Sequence, residues 1–177
     1  MKNIVHFEPL TPGTYQDYIE VGTRAYDQHY LHLWPQGDSS PYISSSFNLK
    51  VLEKEECDKN TLLYIIKLNG EAVGVLKFTL NAILDIFTAE EALYVDKIYI
   101  QKEYSGKGIG KKVLRFVQLR AEEIGKKLVW LDAMQKGPAL NFYLNNGFEI
   151  YGETEIRLPT VVEAEKHMYI MVKRLSK

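Results

Sequence analysis

At 177 residues the chain suits one domain with a substantial core, and 46% hydrophobic against 25% charged residues is an ordinary globular balance. A formal net charge of −1 leaves no electrostatic case for a nucleic acid or an anionic membrane as partner. The single cysteine, Cys57, excludes an internal disulfide framework and suits a reducing compartment, most simply the cytoplasm.

The elements are read in chain order from hydrophobic period and punctuation. Ile4 to Phe7 reads as a short strand stopped by Pro9 and Pro12. Thr14 to Tyr30 reads as a helix, with Tyr15, Tyr18, Ile19, Gly22 and Tyr26 near helical spacing. Leu31 to Ser46, rich in Pro, Gly and Ser, is expected to form the longest loop, with His29, His32 and Trp34 at or near its start. Phe47 to Asp58 reads as an acidic helix with Leu49 and Leu52 facing inward. Leu62 to Leu68 and Ala72 to Leu80 flank Asn69-Gly70, a two-residue hairpin signal.

Ala92 to Ile100 is the fourth strand, and strict alternation would put Tyr94, Asp96, Ile98 and Ile100 on one face. Ile109 to Ile124 carries a helical apolar stripe closed by Gly125. The nearly continuous apolar run Leu128 to Ala133 fits a central parallel strand. Pro138 opens a short helix that Gly147 closes, and Phe148 to Ile156 with Met168 to Arg174 read as a final strand pair. No apolar run approaches the roughly 18 residues of a membrane span, the first residues lack a signal-peptide pattern, and no His/Cys cluster has metal-ligand spacing. No membrane partner and no metal are therefore expected.

The segment with most chemical content is Ser105-Gly106-Lys107-Gly108-Ile109-Gly110-Lys111-Lys112. It lies between a strand and a helix. Glycine lets the backbone take positive φ and approach a ligand closely, and the first helical turn has unpaired N–H groups and a positive dipole end. Such a loop is a pyrophosphate cradle, and Lys107, Lys111 and Lys112 add charge. The nucleotide P-loop is excluded by counting, because Ser105 stands at its first glycine and Lys112 at its Ser/Thr. The dinucleotide fingerprint fails because Lys111 occupies its third glycine.

Ile98 to Gly110 resembles motif A of the GCN5-related N-acetyltransferases (the GNAT family): a hydrophobic strand, Arg/Gln-x-x-Gly-x-Gly/Ala, then a helix. Ala139-Leu140-Asn141-Phe142-Tyr143-Leu144-Asn145-Asn146-Gly147-Phe148 is similar to motif B of that family. The resemblance implies an α/β (α+β) GNAT fold over residues 1–177. That fold has a mixed sheet of about seven strands splayed between the fourth and fifth, and about four helices. It implies acetyl-CoA as cosubstrate, a small-molecule primary amine as acceptor, and, as in many members, a homodimer.

Site residues follow from the same resemblance. Ile98, Tyr99 and Ile100 would offer backbone groups to the pantetheine arm. Gly106, Lys107, Gly108, Ile109, Gly110 and Lys111 would meet the pyrophosphate. Ser105 stands where motif A has Arg or Gln, and Lys136 where motif B has an asparagine; Lys136 or Asn141 would compensate. Tyr143, the motif B tyrosine, would be the acid for the departing sulfur.

The amine is protonated near neutral pH and needs a base. Asp96 is the carboxylate of an otherwise apolar or aromatic strand, and Asp132 is the alternative. Members that use a glutamate base often place it at the position of Tyr94 or nearby. His32, Trp34, Tyr94 and Asp132 are the expected acceptor contacts. The strand Leu93 to Ile100 and the ending Met168 to Lys173 look similar to the polyamine-acetylating branch of the family; a peptide amine, or acyl-CoA binding without turnover, are the alternatives.

Overall fold

The computed structural model describes residues 3–176. Seven strands form one mixed sheet: β1 (Val5–Pro9), β2 (Thr61–Leu68), β3 (Glu71–Thr79), β4 (Ala92–Ile100), β5 (Leu128–Met134), β6 (Glu149–Glu155) and β7 (His167–Arg174). Their order is β1-β2-β3-β4-β5-β7-β6. The helices are α1 (Tyr15–Tyr30), α2 (Ser40–Ser46), α3 (Leu49–Cys57), α4 (Ile109–Glu123) and α5 (Pro138–Asn145). The β2–β3 hairpin turns on Asn69 (φ 52°) and Gly70 (φ 91°), the two positive φ values that a tight primed turn requires.

β4 and β5 are the parallel pair, and they pair only from Ala92 with Leu128 to Val95 with Leu131. Beyond that point β5 continues against β7 as far as Met134 with Met168, and β4 continues against β3 as far as Ile100 with Gly74. The two strands therefore diverge, and the edge of β4 that faces β5 has no strand partner from Asp96 onward.

Each face of the sheet has its own core. On one face Ile109, Val113, Val117 and Ala121 of α4, spaced four apart, pack against Leu76, Phe78, Leu93 and Val95. On the other, Tyr15 and Tyr18 of α1 and Leu52 of α3 pack with Phe47 on Leu63, Ile65 and Val75.

Three sequence expectations are corrected. The expected loop Leu31 to Ser46 contains 3₁₀ turns at Leu31–Leu33 and Pro35–Gly37 and the additional helix α2, so the described residues hold five α-helices rather than about four. In α2, Tyr42 and Ile43 are the apolar residues that pack inward, too few to show a helical period; Pro41 opens the helix because the first turn needs no N–H donor there. Leu49 of α3 faces solvent, and Leu52 alone of that expected pair is buried.

The third correction concerns β4. Lys97 pairs with Lys77 and Val95 with Phe78, so Asp96 is an extra residue, a β-bulge. A bulge inverts the side-chain alternation that follows it. Ile98 and Ile100 consequently join Leu93 and Val95 in the α4 core, while Lys97 lies over the Phe47 ring on the opposite face. Tyr94 does not share a face with Ile98 and Ile100.

Candidate active site

The loop after β4 takes the shape its glycines allow. A 3₁₀ turn at Lys102–Tyr104 leads to Gly106 (φ 75°) and Gly108 (φ 76°), and Gly108 is the N-cap of α4. A Cβ at either would meet no atom, so the left-handed backbone, not crowding, demands glycine there. Gly110 is different: a Cβ there would come within 2.9 Å of the Phe142 ring, so its absence lets α5 approach the start of α4.

The backbone bond from Lys112 N to Gly108 O (3.3 Å) begins the helical ladder, which leaves the N–H groups of Ile109, Gly110 and Lys111 without helical acceptors. Lys107 and Lys111 are exposed, with Lys107 4.8 Å from the centre of the Tyr104 ring. Lys112 Nζ donates instead to Asn3 O. A left-handed glycine turn, free helical N–H groups and two exposed lysines fit a pyrophosphate, and the unpaired edge of β4 fits the amide-bearing arm of CoA. His29 Nε2 lies 2.9 Å from Ile100 O and ties α1 to the end of that edge.

Where β4 and β5 part, a cavity of about 240 Å³ opens. Tyr94, Asp96, Ile98 and Tyr99 line it from β4, Asp132 from β5 and Tyr143 from α5. Tyr94 and Asp132, 38 positions apart in the chain, are joined by a hydrogen bond from the phenol to Asp132 Oδ2 (3.0 Å). Burial raises the Asp132 carboxyl above its ordinary value, with the Asp96 charge adding to the shift and the Tyr94 bond opposing it. Asp96 instead pairs with Lys77 Nζ (2.9 Å), which also donates to Glu55 Oε1 (2.7 Å). Tyr143 packs edge-on against Phe142 and Phe148, and burial holds its phenol protonated well past neutral pH.

Other expected residues lie outside this cavity. His32 is exposed, and Trp34 is buried behind it, with Nε1 donating to the Tyr26 hydroxyl (2.9 Å). Lys136 Nζ donates to Ala164 O and Glu165, which fastens it to the segment between β6 and β7, and Asn141 is exposed on α5. The residues that sequence reasoning missed are tyrosines. Tyr26 and Tyr30 line the cavity with Tyr99 and with Tyr42, which the sequence reading places on the acceptor side, and the Tyr42 and Tyr99 hydroxyls are 2.8 Å apart. The i,i+4 spacing of Tyr26 and Tyr30 was the available signal, but that spacing is equally what core packing would give.

The domain family described as acetyltransferase (GNAT) domain matches residues 59–150, more than half of the chain. An uncharacterised N-acetyltransferase of Lactobacillus delbrueckii subsp. lactis is 25% identical over 117 residues, 66% of this chain and 68% of that protein. The spermine/spermidine N(1)-acetyltransferase of Bacillus subtilis (strain 168) is 29% identical over 98 residues, 54% of this chain and 64% of that protein. This chain thus spans about two thirds of the length of these curated relatives.

Among solved structures, the PaiA N-acetyltransferase of Thermoplasma acidophilum in complex with coenzyme A superposes with a TM-score of 0.76 at 16% identity, covering 97% of this chain and 99% of that one. At that identity the likeness speaks for the fold alone, and the fold is the splayed sheet described above. The family match takes in the glycine loop, β5 and α5 together, and on that ground this protein belongs to the GNAT acetyltransferase family, whose members use acetyl-CoA.

Proposed function

We propose that the protein transfers the acetyl group of acetyl-CoA to a small primary amine within a ternary complex. The observation that carries this reading is that Asp132 and Tyr143, one carboxylate and one protonated phenol, line the same cavity at the point where β4 and β5 diverge. Acetyl-CoA supplies an acetyl group already activated as a thioester. Asp132, its proton affinity raised by burial, removes a proton from the bound ammonium, directly or through water. The free amine forms the new C–N bond as the C–S bond breaks, and Tyr143 gives its proton to the departing sulfur and recovers one from solvent. Asp96, held by Lys77, helps orient the ammonium rather than deprotonating it.

Gly106 to Lys111 hold the pyrophosphate, and the edge of β4 from Ile98 to Ile100, its end already met by His29 at Ile100 O, receives the pantetheine amides. A polyamine is the first acceptor to test, because one relative is a spermine/spermidine acetyltransferase and the cavity is lined by carboxylates and aromatic rings. The test is CoA release from acetyl-CoA across spermidine, spermine, short diamines and lysine peptides. Release with at least one amine, about a hundredfold slower in Tyr143→Phe, is the expected result. Binding of acetyl-CoA with no release on any amine would overturn the proposal.

A further inference from the structure

The charged side chains that line the cavity are of one sign. Among the described lining residues the ionisable acids and bases are Asp96 and Asp132, with the tyrosine phenols beside them; no Lys, Arg or His is part of the lining. Asp96 is paired with Lys77, whereas Asp132 has no salt bridge among the described residues. Arg157 is close enough to oppose part of the effect of burial on Asp132, but it does not line the cavity. The N-terminal turn of α5 reaches the cavity through Ala139 and adds only a partial dipole charge.

The same lining holds an aromatic wall. Tyr26 has ring centroids 5.1 Å from Tyr30, 4.2 Å from Tyr42 and 5.5 Å from Tyr99. Burial keeps these phenols neutral, so the wall offers ring faces and hydroxyls but no charge to an anion. A carboxylate placed here would lose its water, find no cationic side chain in the lining and meet the charge of Asp132.

Resting on the acetyltransferase reading, we infer that the acceptor is a cationic alkylamine without an acid group, and that the cavity refuses amino acids by charge. Asp132 and the wall formed by Tyr26, Tyr30, Tyr42 and Tyr99 are the specificity determinants. An α-amino acid carries the same ammonium but brings a carboxylate that nothing in the lining neutralises.

The test is calorimetric titration of the protein saturated with CoA, which prevents turnover. The probes are cadaverine against L-lysine and agmatine against L-arginine, pairs that differ only in the carboxylate, together with L-lysine methyl ester. The decarboxylated member of each pair should bind at least about tenfold tighter, like charges in one site being costly. The ester should recover most of that affinity, which separates charge from size. Asp132→Asn should weaken cadaverine binding and narrow the gap within each pair.

Equal affinity within both pairs, tighter binding of the amino acids, or binding of neither member would overturn the inference. CoA release, measured separately, decides the acetyltransferase reading: a protein that binds cadaverine selectively yet releases no CoA would retain the specificity and lose the catalysis.

Discussion

Tyr143 and Asp132 are expected to fail in different ways. Tyr143→Phe keeps the ring contacts with Phe142 and Phe148 and removes only the hydroxyl. Its turnover should fall about a hundredfold, the usual scale of a lost general acid. The affinity for CoA, measured by calorimetry, should not change. Asp132 affects stability as well as rate. Its raised carboxyl pKa means that the folded state keeps a proton after the unfolded chain has released it. Stability is therefore lost as pH rises from an ordinary carboxylate value of about 4 through the raised one. Asp132→Asn can still accept the Tyr94 hydrogen bond and removes that loss. The variant should melt above the wild type at neutral pH and show no such gain below about pH 4, where both are uncharged. At neutral pH it should also lose most of its turnover.

These two residues differ in how visible they were. Tyr143 could be found from the chain because its neighbours Phe142, Gly147 and Phe148 form a local pattern. Asp132 carries no such pattern; what singles it out is desolvation and the hydroxyl of Tyr94, which come from another strand.

Between elements, the glycines test how closely helices may approach. Gly22 of α1 lies against Phe47, and an added Cβ would overlap that ring. Gly22→Ala should cost about 1–3 kcal/mol by overpacking, read from denaturant unfolding. Gly108→Ala meets no atom but must hold φ at 76°, so it should cost about 1 kcal/mol and, by distorting the start of α4, weaken CoA binding. Lys107 and Lys111 are exposed, so replacing both with Gln should leave stability unchanged while weakening CoA binding and flattening its dependence on ionic strength.

Element by element, the hairpin at Asn69-Gly70, the stripe of α4 and the apolar run of β5 follow their local signals. The bulge at Asp96 and the helix α2 have no such signal, because each is decided by the partner it packs against: β3 for the bulge, and Tyr26 and Tyr99 for Tyr42 of α2.

For the molecule as a whole, CoA bound as proposed would complete the sheet at the unpaired edge of β4 and the helix at the free N–H groups of α4 at once. A ligand at about one hundred times its Kd stabilises the folded state by about 2.7 kcal/mol. For a domain of this size that raises Tm by roughly 5–10 °C, which a melting curve with and without CoA will show.

The sequence by itself determined the glycine loop, the seven strands and four of the five helices, the resemblance to two motifs and the near-neutral net charge, because each is written in neighbouring residues or in composition. Only the tertiary structure decided which of the two cavity carboxylates is held by a lysine, that Trp34 bonds to Tyr26, and that tyrosines from α1, α2 and β4 form one wall. Those outcomes depend on register, desolvation and contacts between residues such as Tyr42 and Tyr99, 57 positions apart. No local period encodes a distance across the fold.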